Sequence, residues 1–387
     1  MRFGTDCIAS LLVLVNIASG LGGICKNFGS PCPQSAPCCL DGWCSSDLKY
    51  CATGCQPENS FTPESCFPKP PCVSFREDFD SPRLVQLANF TGDPMIADWT
   101  SDFTPDNTEI ENGNLVLSMK LSQNKNEFGR LQGFGATISS VRWIEYGTIT
   151  ARIKTASTSV GVVSSFITRN LFGDEIDFEW VGKNPNEVQQ NFYYDNILNY
   201  TNARFTVVDS NTSEDYHVYT IDWQPDYLRW LIDGQELRVL KRNDTWDPKL
   251  QKFKYPNRAQ RVQFSLWDGG QGPEGTMLWA GGRTNWSDPK TAYKMYIDWV
   301  DIQCKYNGNE TTPWPGVGVG VGVANPTNSG NATPTPSIGI AMLPTSANRT
   351  SSTTSANLPN TNFSSKNTID LLFLGLVLVP LFIVCNI

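Results

Sequence analysis

Residues 174–180 read Asp-Glu-Ile-Asp-Phe-Glu-Trp, and acidic and apolar side chains alternate through this stretch. A period of two predicts a β-strand that presents Glu175, Asp177 and Glu179 on one face and apolar residues on the other. Neighbouring acids on such a face lie roughly 7 Å apart, where like charges repel by about 2 kcal/mol per pair at an effective dielectric constant near 20. This repulsion raises the pKa of at least one carboxyl, as a general acid beside an ionised nucleophile requires. A solvated acidic face of an ordinary strand is the alternative interpretation.

The segments on both sides of this strand are also rich in strand signals. Residues 147–154 and 160–168 alternate or are β-branched, as half-buried strands are. Residues 227–232 and 235–240 flank Asp233-Gly234, a sequence that predicts a hairpin with a type I′ turn. No long stretch has helical periodicity. The sequence therefore predicts an all-β fold of two packed antiparallel sheets.

Paired carboxylates of this kind suit the cleavage of glycosidic bonds. In a retaining glycosidase, a nucleophilic carboxylate and an acid/base carboxyl lie about 5–5.5 Å apart across the scissile bond. On a flat strand the Cα atoms of Glu175 and Glu179 would be roughly 13 Å apart. We therefore expect the two side chains to lean towards each other across a concave sheet.

The motif resembles the Glu-x-Asp-x-Glu signature of the retaining glycoside hydrolases of family sixteen, which have a concanavalin-like β-jelly-roll fold. The resemblance covers roughly residues 75–305 in matching order, through Glu187-Val-Gln-Gln-Asn-Phe-Tyr193, His217-Val-Tyr-Thr-Ile-Asp-Trp223, Tyr227-Leu-Arg-Trp-Leu-Ile-Asp-Gly234 and Gln263-Phe-Ser-Leu-Trp267. It implies that Glu175 is the nucleophile and Glu179 the acid/base. It also implies that Asp177 maintains the geometry and ionisation of the nucleophile.

Within that family, Leu278-Trp-Ala-Gly-Gly282 is similar to the fungal Crh cell-wall enzymes, transglycosylases that cut chitin and join the fragment to β-glucan. The resemblance implies that Gln189, Asn191 and Tyr193, which share one strand parity, line the donor side of the cleft.

Aromatic residues provide further candidates for sugar binding. Trp267 occupies the position where the family stacks a sugar, Ser265 shares its face, and Trp279 is a candidate acceptor platform. Packing in the core is the alternative for both tryptophans. We expect Trp223 and Trp230 in the core. We expect His217, the single histidine, at the cleft edge or in the core rather than in catalysis.

Both ends of the sequence carry processing signals. Residues 1–20 contain an apolar run from Ile8 to Ile17 followed by small residues, which predicts a secretory signal peptide. Residues 369–387 predict the removed tail of a glycosylphosphatidylinositol (GPI) signal, with Asn360 as the anchor site. A transmembrane helix is the alternative, although the apolar run is short for one. We therefore expect the protein in the cell wall and on the outer face of the plasma membrane.

The composition between residues 307 and 368 is dominated by Ser, Thr, Asn, Pro and Gly, which predicts a glycosylated spacer without a packed core. Asn-x-Ser/Thr sequons agree with secretion and occur at Asn89, Asn199, Asn211, Asn243, Asn285, Asn309, Asn331, Asn348 and Asn362. A formal charge of −8 without a Lys/Arg cluster argues against a nucleic-acid partner. We expect no cofactor and no metal.

Cysteines crowd between Cys25 and Cys72, which in an oxidising compartment indicates a disulfide framework. Zinc is the competing interpretation, but no histidine lies nearby. The spacing resembles that of hevein-type chitin-binding modules and places one at residues 21–72. The resemblance implies the pairs Cys25–Cys39, Cys32–Cys44 and Cys38–Cys51. Three pairings stay open for Cys55, Cys66, Cys72 and Cys304.

Two aromatic residues of this module, Trp43 and Tyr50, match positions where hevein-type modules stack sugars. The loop between Cys39 and Cys44 is one residue short. We expect the module either to bind chitin through these two side chains or to serve as a structural cap.

Together these features favour a retaining cell-wall transglycosylase in residues 73–306, with chitin as donor and β-glucan as acceptor. A wall glucanase or chitinase that transfers to water is one alternative. A noncatalytic chitin-binding wall lectin that relies on the cysteine-rich module is another. The intact set of three acids disfavours the lectin.

Overall fold

The computed structural model describes Cys25 and residues 31–308, apart from residues 41, 53, 124, 126–128, 130 and 289. The predicted signal peptide, the GPI tail with Asn360, most of the spacer and the sequons from Asn309 onwards lie outside the described residues. Among the described sequons, Asn89, Asn199, Asn243 and Asn285 are exposed and Asn211 is half-buried. Within the described part of the chain, we find no helix of the length and apolarity needed to cross a membrane.

Strands dominate the described residues. In chain order they are β1 Cys38–Leu40, β2 Trp43–Ser45, β3 Phe75–Glu77, β4 Leu84–Gln86, β5 Trp99–Phe103, β6 Thr108–Glu111, β7 Asn114–Leu121, β8 Gly133–Phe134, β9 Ala136–Ser140, β10 Gly147–Lys154, β11 Val162–Arg169, β12 Glu175–Val181, β13 Glu187–Tyr193, β14 Arg204–Val207, β15 His217–Trp223, β16 Tyr227–Ile232, β17 Gln235–Lys241, β18 Trp246–Asp247, β19 Lys252–Phe253, β20 Arg261–Asp268 and β21 Ala292–Cys304.

Helices in the described part of the chain are few and short. The α-helices are α1 Leu48–Ala52 and α2 Glu274–Trp279, and 3-10 turns occur at Pro57–Asn59, Pro63–Ser65, Leu87–Asn89, Pro105–Asn107, Tyr200–Asn202, Arg242–Thr245 and Gly269–Gln271.

Two large sheets form the body of the molecule. The eight-stranded sheet has the order β14-β13-β12-β11-β20-β9-β5-β4. The nine-stranded sheet has the order β17-β16-β15-β10-β21-β7-β6, with β3 also paired to β21 and β8 to β7. Apart from the parallel β4–β5 pair, the pairings within the two sheets are antiparallel. The predicted all-β fold of two packed sheets is confirmed.

The hydrophobic core fills the space between the two sheets. Strand β10 shows how alternation builds this core. Its residues Ile149, Ala151 and Ile153 are fully buried, whereas the residues between them are half-buried. Trp223 and Trp230 of the nine-stranded sheet are fully buried, as expected. The indole Nε1 of Trp230 crosses the core and donates a 3.0 Å hydrogen bond to the backbone oxygen of Asp177. The core therefore holds the acid-bearing strand directly.

The predicted hairpin is present between β16 and β17. Asp233 has φ 50° and Gly234 has φ 77°, and a type I′ turn requires a positive φ at both positions. The strand predicted over residues 160–168 runs instead from Val162 to Arg169, because Gly161, with φ 82°, belongs to the turn before it.

Five disulfides are present among the described residues. Cys25–Cys39, Cys32–Cys44 and Cys38–Cys51 have the pairing that the hevein-type resemblance implies. The open choice among the other four cysteines resolves as Cys55–Cys66 and Cys72–Cys304. The second bond spans 232 residues and ties the start of the body to the end of β21, so it restricts the unfolded chain strongly.

The cysteine-rich module packs against the body through a shared apolar cluster. Cys51 and Phe67 of the module meet Phe90 and Val141 of the body there. Tyr50 is half-buried against the same cluster, whereas the Trp43 side chain is 57% exposed. The two predicted chitin-binding aromatics therefore lie in different environments, and only Trp43 presents most of its surface to solvent.

Candidate active site

Strand β12 lies inside the eight-stranded sheet, between β11 and β13. Ile176, Phe178 and Trp180 point into the core and are fully buried, so Glu175, Asp177 and Glu179 point to the other face. The predicted acidic face is therefore present, and its neighbouring strands can supply side chains on both sides.

Glu175 is accompanied by a cation. Its direct cross-strand neighbour on β11 is Arg169, whose Nε lies 3.7 Å from Glu175 Oε2. Burial raises the pKa of Glu175, and the charge of Arg169 opposes that rise. Arg169 was missed by the sequence analysis, although a cation six residues before the acids, across a hairpin turn, is a signal that could have found it.

Among the described residues, no cation forms a salt bridge with Glu179. Burial, and then repulsion from Glu175, raises the pKa of Glu179 to about 8. At neutral pH the Glu179 carboxyl therefore carries a proton that it can donate. Two carboxyls whose environments differ in this way suit an ionised nucleophile and a protonated general acid.

Asp177 lies between them and is 1% exposed. Burial, then repulsion from Glu179 and Glu175, raises the pKa of Asp177 well above its usual range. Its Oδ1 and the Oδ1 of the cross-strand Asn191 are buried, and neither has a hydrogen-bond partner among the described residues. A proton on Asp177 would remove one of three crowded negative charges and leave Glu175 as the ionised member.

Three predicted substrate-binding residues lie on β13, each directly opposite one acid. Gln189 faces Glu179, Asn191 faces Asp177 and Tyr193 faces Glu175. Gln189 and Asn191 are 5% and 6% exposed, so each offers little surface to a ligand. Burial, then the charges of the three acids, raises the pKa of the half-buried Tyr193, which therefore stays a neutral hydroxyl.

The predicted aromatic platforms are brought together. The rings of Trp267 and Trp279 stack with centroids 5.8 Å apart and an interplanar angle of 20°. Both indoles pack on an apolar patch of Val163, Val181 and Ala280 and remain half-buried. Since Val181 follows Glu179 by two residues, the stack lies at the Glu179 end of the acidic face. Both side chains therefore stack on each other outside the main core, instead of being buried in it.

The loop after β20, which leads to the helix that carries Trp279, is organised around Asp268. Asp268, which follows Trp267, accepts hydrogen bonds from the backbone N–H of Gly133 at 2.7 Å and of Gly270 at 3.0 Å, and from the Trp286 indole at 3.3 Å. Helix α2 ends at Trp279, and Gly281 and Gly282 follow it with φ 87° and 124°. The sequence analysis missed Asp268, because its partners come from distant segments.

Ser265 lies on the acidic face and hydrogen-bonds Ser165, the cross-strand neighbour of Glu179. His217, in contrast, belongs to β15 in the other sheet. Its ring nitrogens contact Asp233 Oδ2 and Ser210 Oγ, each at 2.7 Å. His217 is therefore half-buried beside the hairpin turn of the other sheet, apart from the acidic face and outside the main core cluster, so the expected place at the cleft edge or in the core was wrong.

Comparison with known proteins places the chain in a family. Residues 96–301 match the family described as Glycosyl hydrolases family 16. Crh-like protein 2 of Aspergillus fumigatus is 34% identical over 79% of this chain and 68% of its own length. Congo red hypersensitive protein 2 of Saccharomyces cerevisiae is 36% identical over 72% of this chain and 58% of its own. The chain therefore spans between 58% and 68% of the length of these two relatives.

A solved structure agrees with the sequence matches. The structure of Crh5 transglycosylase in complex with NAG superposes with a TM-score of 0.50 and 26% identity, over 62% of this chain and 88% of that chain. The family match covers more than half of the chain and includes all three acids of β12. The chain belongs to glycosyl hydrolases family 16.

Proposed function

We propose that the protein is a retaining cell-wall transglycosylase that cleaves β-1,4-linked chitin and transfers the fragment to β-glucan. The observation that carries the proposal is the division of the acidic face into two unlike ends. At one end Glu175 has Arg169 beside it, and at the other Glu179 has a pKa of about 8 and an aromatic stack nearby. The similarity to Crh-like proteins and to a structure described as a transglycosylase supports the same choice.

The first step uses both carboxyls. A carboxylate oxygen of Glu175 attacks the anomeric carbon of the donor sugar, and the bond from that carbon to the linking oxygen breaks. Glu179 gives its proton to that oxygen, so the shortened chain leaves as an alcohol. Asp177, held by the Trp230 hydrogen bond to its backbone, keeps the two glutamates on one rigid strand.

The second step reverses the role of Glu179. A hydroxyl of the incoming β-glucan attacks the anomeric carbon of the glycosyl–Glu175 ester and loses its proton to Glu179. Glu175 is released, and the new bond has the configuration of the old one. The Trp267–Trp279 stack lies at the Glu179 end, where leaving and incoming sugars both reside, and flat indole faces suit stacking against sugar rings.

The remaining parts of the chain would bring the catalytic domain to the cell wall. Residues 73–306 form the catalytic domain of the proposal, and residues 21–72 form a module that brings chitin close through Trp43. Secretion and a GPI anchor would place both at the outer face of the plasma membrane. Chitin and β-glucan are the proposed partners. A wall glucanase or chitinase that transfers to water is the second candidate, since the same two glutamates serve it.

Product analysis tests the proposal. The secreted form, from Gly20 to about Asn307, is incubated with chitin oligosaccharides and fluorescent laminari-oligosaccharide. We expect the label to appear in longer products that chitinase shortens, and Glu175→Gln to abolish them. Shortened chitin without labelled adducts would make the protein a hydrolase, and cleavage of glucan alone would overturn the chitin donor.

A further inference from the structure

Asp174, the residue before Glu175, has a fully buried carboxylate that stands apart from the three acids of β12. Arg258 donates to both of its oxygens, from Nε to Oδ2 at 2.9 Å and from Nη2 to Oδ1 at 2.7 Å. The backbone N–H of Asp195 donates to Oδ1 as well, at 3.0 Å. A two-pronged guanidinium–carboxylate contact fixes orientation as well as distance. A stiff anchor therefore lies one peptide bond from the proposed nucleophile.

Arg258 connects this anchor to two other segments. Its Nη2 lies 3.0 Å from Asp195 Oδ1, and Lys252 Nζ lies 2.9 Å from Asp195 Oδ2. The guanidinium also lies over the rings of Phe172 and Tyr194, at 5.0 and 5.5 Å from their centroids. The turn between β11 and β12, the residues after β13 and the segment from β19 to β20 are thus joined at a single cation.

The turn itself, residues 170–174, is tightly defined. Asn170 Oδ1 accepts hydrogen bonds from the backbone N–H of Phe172 at 2.9 Å and of Asp174 at 3.2 Å. Gly173 has φ 77°, and a side chain there would meet the backbone of Asn196 at 2.4 Å. On its outer side, Leu171 occupies the space beside Gly54 of the cysteine-rich module. The turn is therefore held from both sides.

The residues that flank this turn, Arg169 and Glu175, form the ion pair of the proposed nucleophile. Arg169 closes β11, Glu175 opens β12, and their side chains approach to 3.7 Å. We propose that Asp174 and Arg258 are positioning residues of the reaction, because their ion pair fixes the turn that sets Glu175 against Arg169. The inference rests on the proposed role of Glu175. Neither Asp174 nor Arg258 is required to touch the sugar.

Kinetics of the full chain test this role. Asp174→Asn keeps the shape of the side chain and removes its charge. Misplacement of a reacting group by about 1 Å can lower a rate on the order of a hundredfold. We expect such a loss in kcat for donor cleavage, with KM nearly unchanged. We also expect the acid limb of the pH profile to move to higher pH, because a displaced Arg169 no longer opposes the rise in the pKa of Glu175.

A matched variant separates positioning from stability. Asp222 and Arg229 form a comparable pair in the other sheet, with Nε 2.9 Å from Oδ2, so Asp222→Asn should lower the melting temperature without moving kcat or the acid limb. Arg258→Lys keeps the charge and should retain an intermediate kcat. It also serves as the test if Asp174→Asn does not fold.

Three results are decisive. Loss of kcat with a shifted acid limb in folded Asp174→Asn or Arg258→Lys supports the inference. Folded variants with wild-type kcat and an unmoved acid limb would overturn it while leaving the proposed function intact. Wild-type protein that cleaves no glycan donor would instead overturn the proposed function, and this inference with it.

Discussion

Trp279 Nε1 donates a 2.9 Å hydrogen bond to Gln189 Oε1, and Gln189 stands directly across the strand pair from Glu179. One side chain thus links the aromatic stack to the strand that carries the proposed acid/base. Because Gln189 is 5% exposed, its amide serves Trp279 more than it serves solvent. The position of the proposed acceptor platform is therefore set relative to the group that must deprotonate the acceptor.

Replacement of Gln189 tests this link. Gln189→Leu keeps most of the side-chain volume and removes the acceptor oxygen, so the Trp279 indole loses its partner. We expect acceptor KM to rise about five- to tenfold, as loss of roughly 1–1.4 kcal/mol from one hydrogen bond would produce. Although the resemblance places Gln189 on the donor side, its side chain is only 5% exposed and offers little surface to a sugar, so donor cleavage should change little. The ratio of transfer to hydrolysis products measures the effect on the acceptor, and the sum of the two products measures donor cleavage.

Trp279→Phe provides the matched control, because it keeps an aromatic ring and removes the same N–H. If the hydrogen bond is the relevant contact, the double variant should be no worse than either single variant. Additive losses would show that Gln189 and Trp279 act separately.

Arg169→Gln tests the proposed electrostatic control of the nucleophile. Arg169 opposes the burial-induced rise in the pKa of Glu175, so its removal raises that pKa further. The nucleophile acts in its ionised form, and a higher pKa therefore moves the acid limb of kcat/KM to higher pH. The basic limb, which follows the Glu179 proton, should stay near pH 8. An unmoved acid limb would show that Arg169 does not control the ionisation of Glu175.

Glu179→Gln should inactivate the enzyme and stabilise the fold. The pKa of Glu179 is raised to about 8 in the folded protein, so the folded state holds this proton more tightly than the unfolded chain does. Stability therefore falls as pH rises from the ordinary carboxyl range to about 8. The variant escapes this loss, so its melting temperature at pH 8 should exceed that of the wild type by several degrees.

The same variant should lose more than about a hundredfold in kcat, since general-acid catalysis contributes on that scale. At pH 4 its melting temperature should match that of the wild type, because both side chains are then uncharged. A lower melting temperature than the wild type at pH 8 would contradict the description of a crowded, proton-retaining site.

The two aromatics of the cysteine-rich module should respond differently to replacement. Trp43 is 57% exposed, so Trp43→Ala should reduce retention on insoluble chitin and leave cleavage of soluble oligosaccharides unchanged. Tyr50 packs on the cluster shared with the body, so Tyr50→Ala should lower the melting temperature. Unchanged retention of Trp43→Ala would make the module a structural cap rather than a chitin-binding unit.

The sequence predicted those features that depend on local alternation. Strand β10 begins and ends at the predicted residues, and the acids of β12 share one face, because side-chain parity follows from the backbone alone. Helix α2 escaped prediction because its six residues are too few for a helical period to show. Asp268 escaped because most of its partners are brought to it by loop packing between separate segments. Arg169 is only six residues from Glu175, but the sheet register is what makes the two residues direct cross-strand neighbours.

The disulfides show the same difference between features that a local motif predicts and features that the complete fold determines. Resemblance implied three pairings inside a compact module, whereas Cys72–Cys304 joins residues that only the finished fold brings together. The docking of the module on Phe90 and Val141 is likewise a property of surfaces rather than of a motif.

If Glu175 is the nucleophile of a retaining reaction, a covalent glycosyl–Glu175 intermediate forms and can be trapped. The Glu179→Gln variant is incubated with an aryl chitobioside whose leaving group needs no proton, and its peptides are analysed by mass spectrometry. We expect one added chitobiosyl group on the peptide that contains Glu175. Turnover without an adduct and with inverted anomeric configuration, or an adduct on another residue, would contradict it.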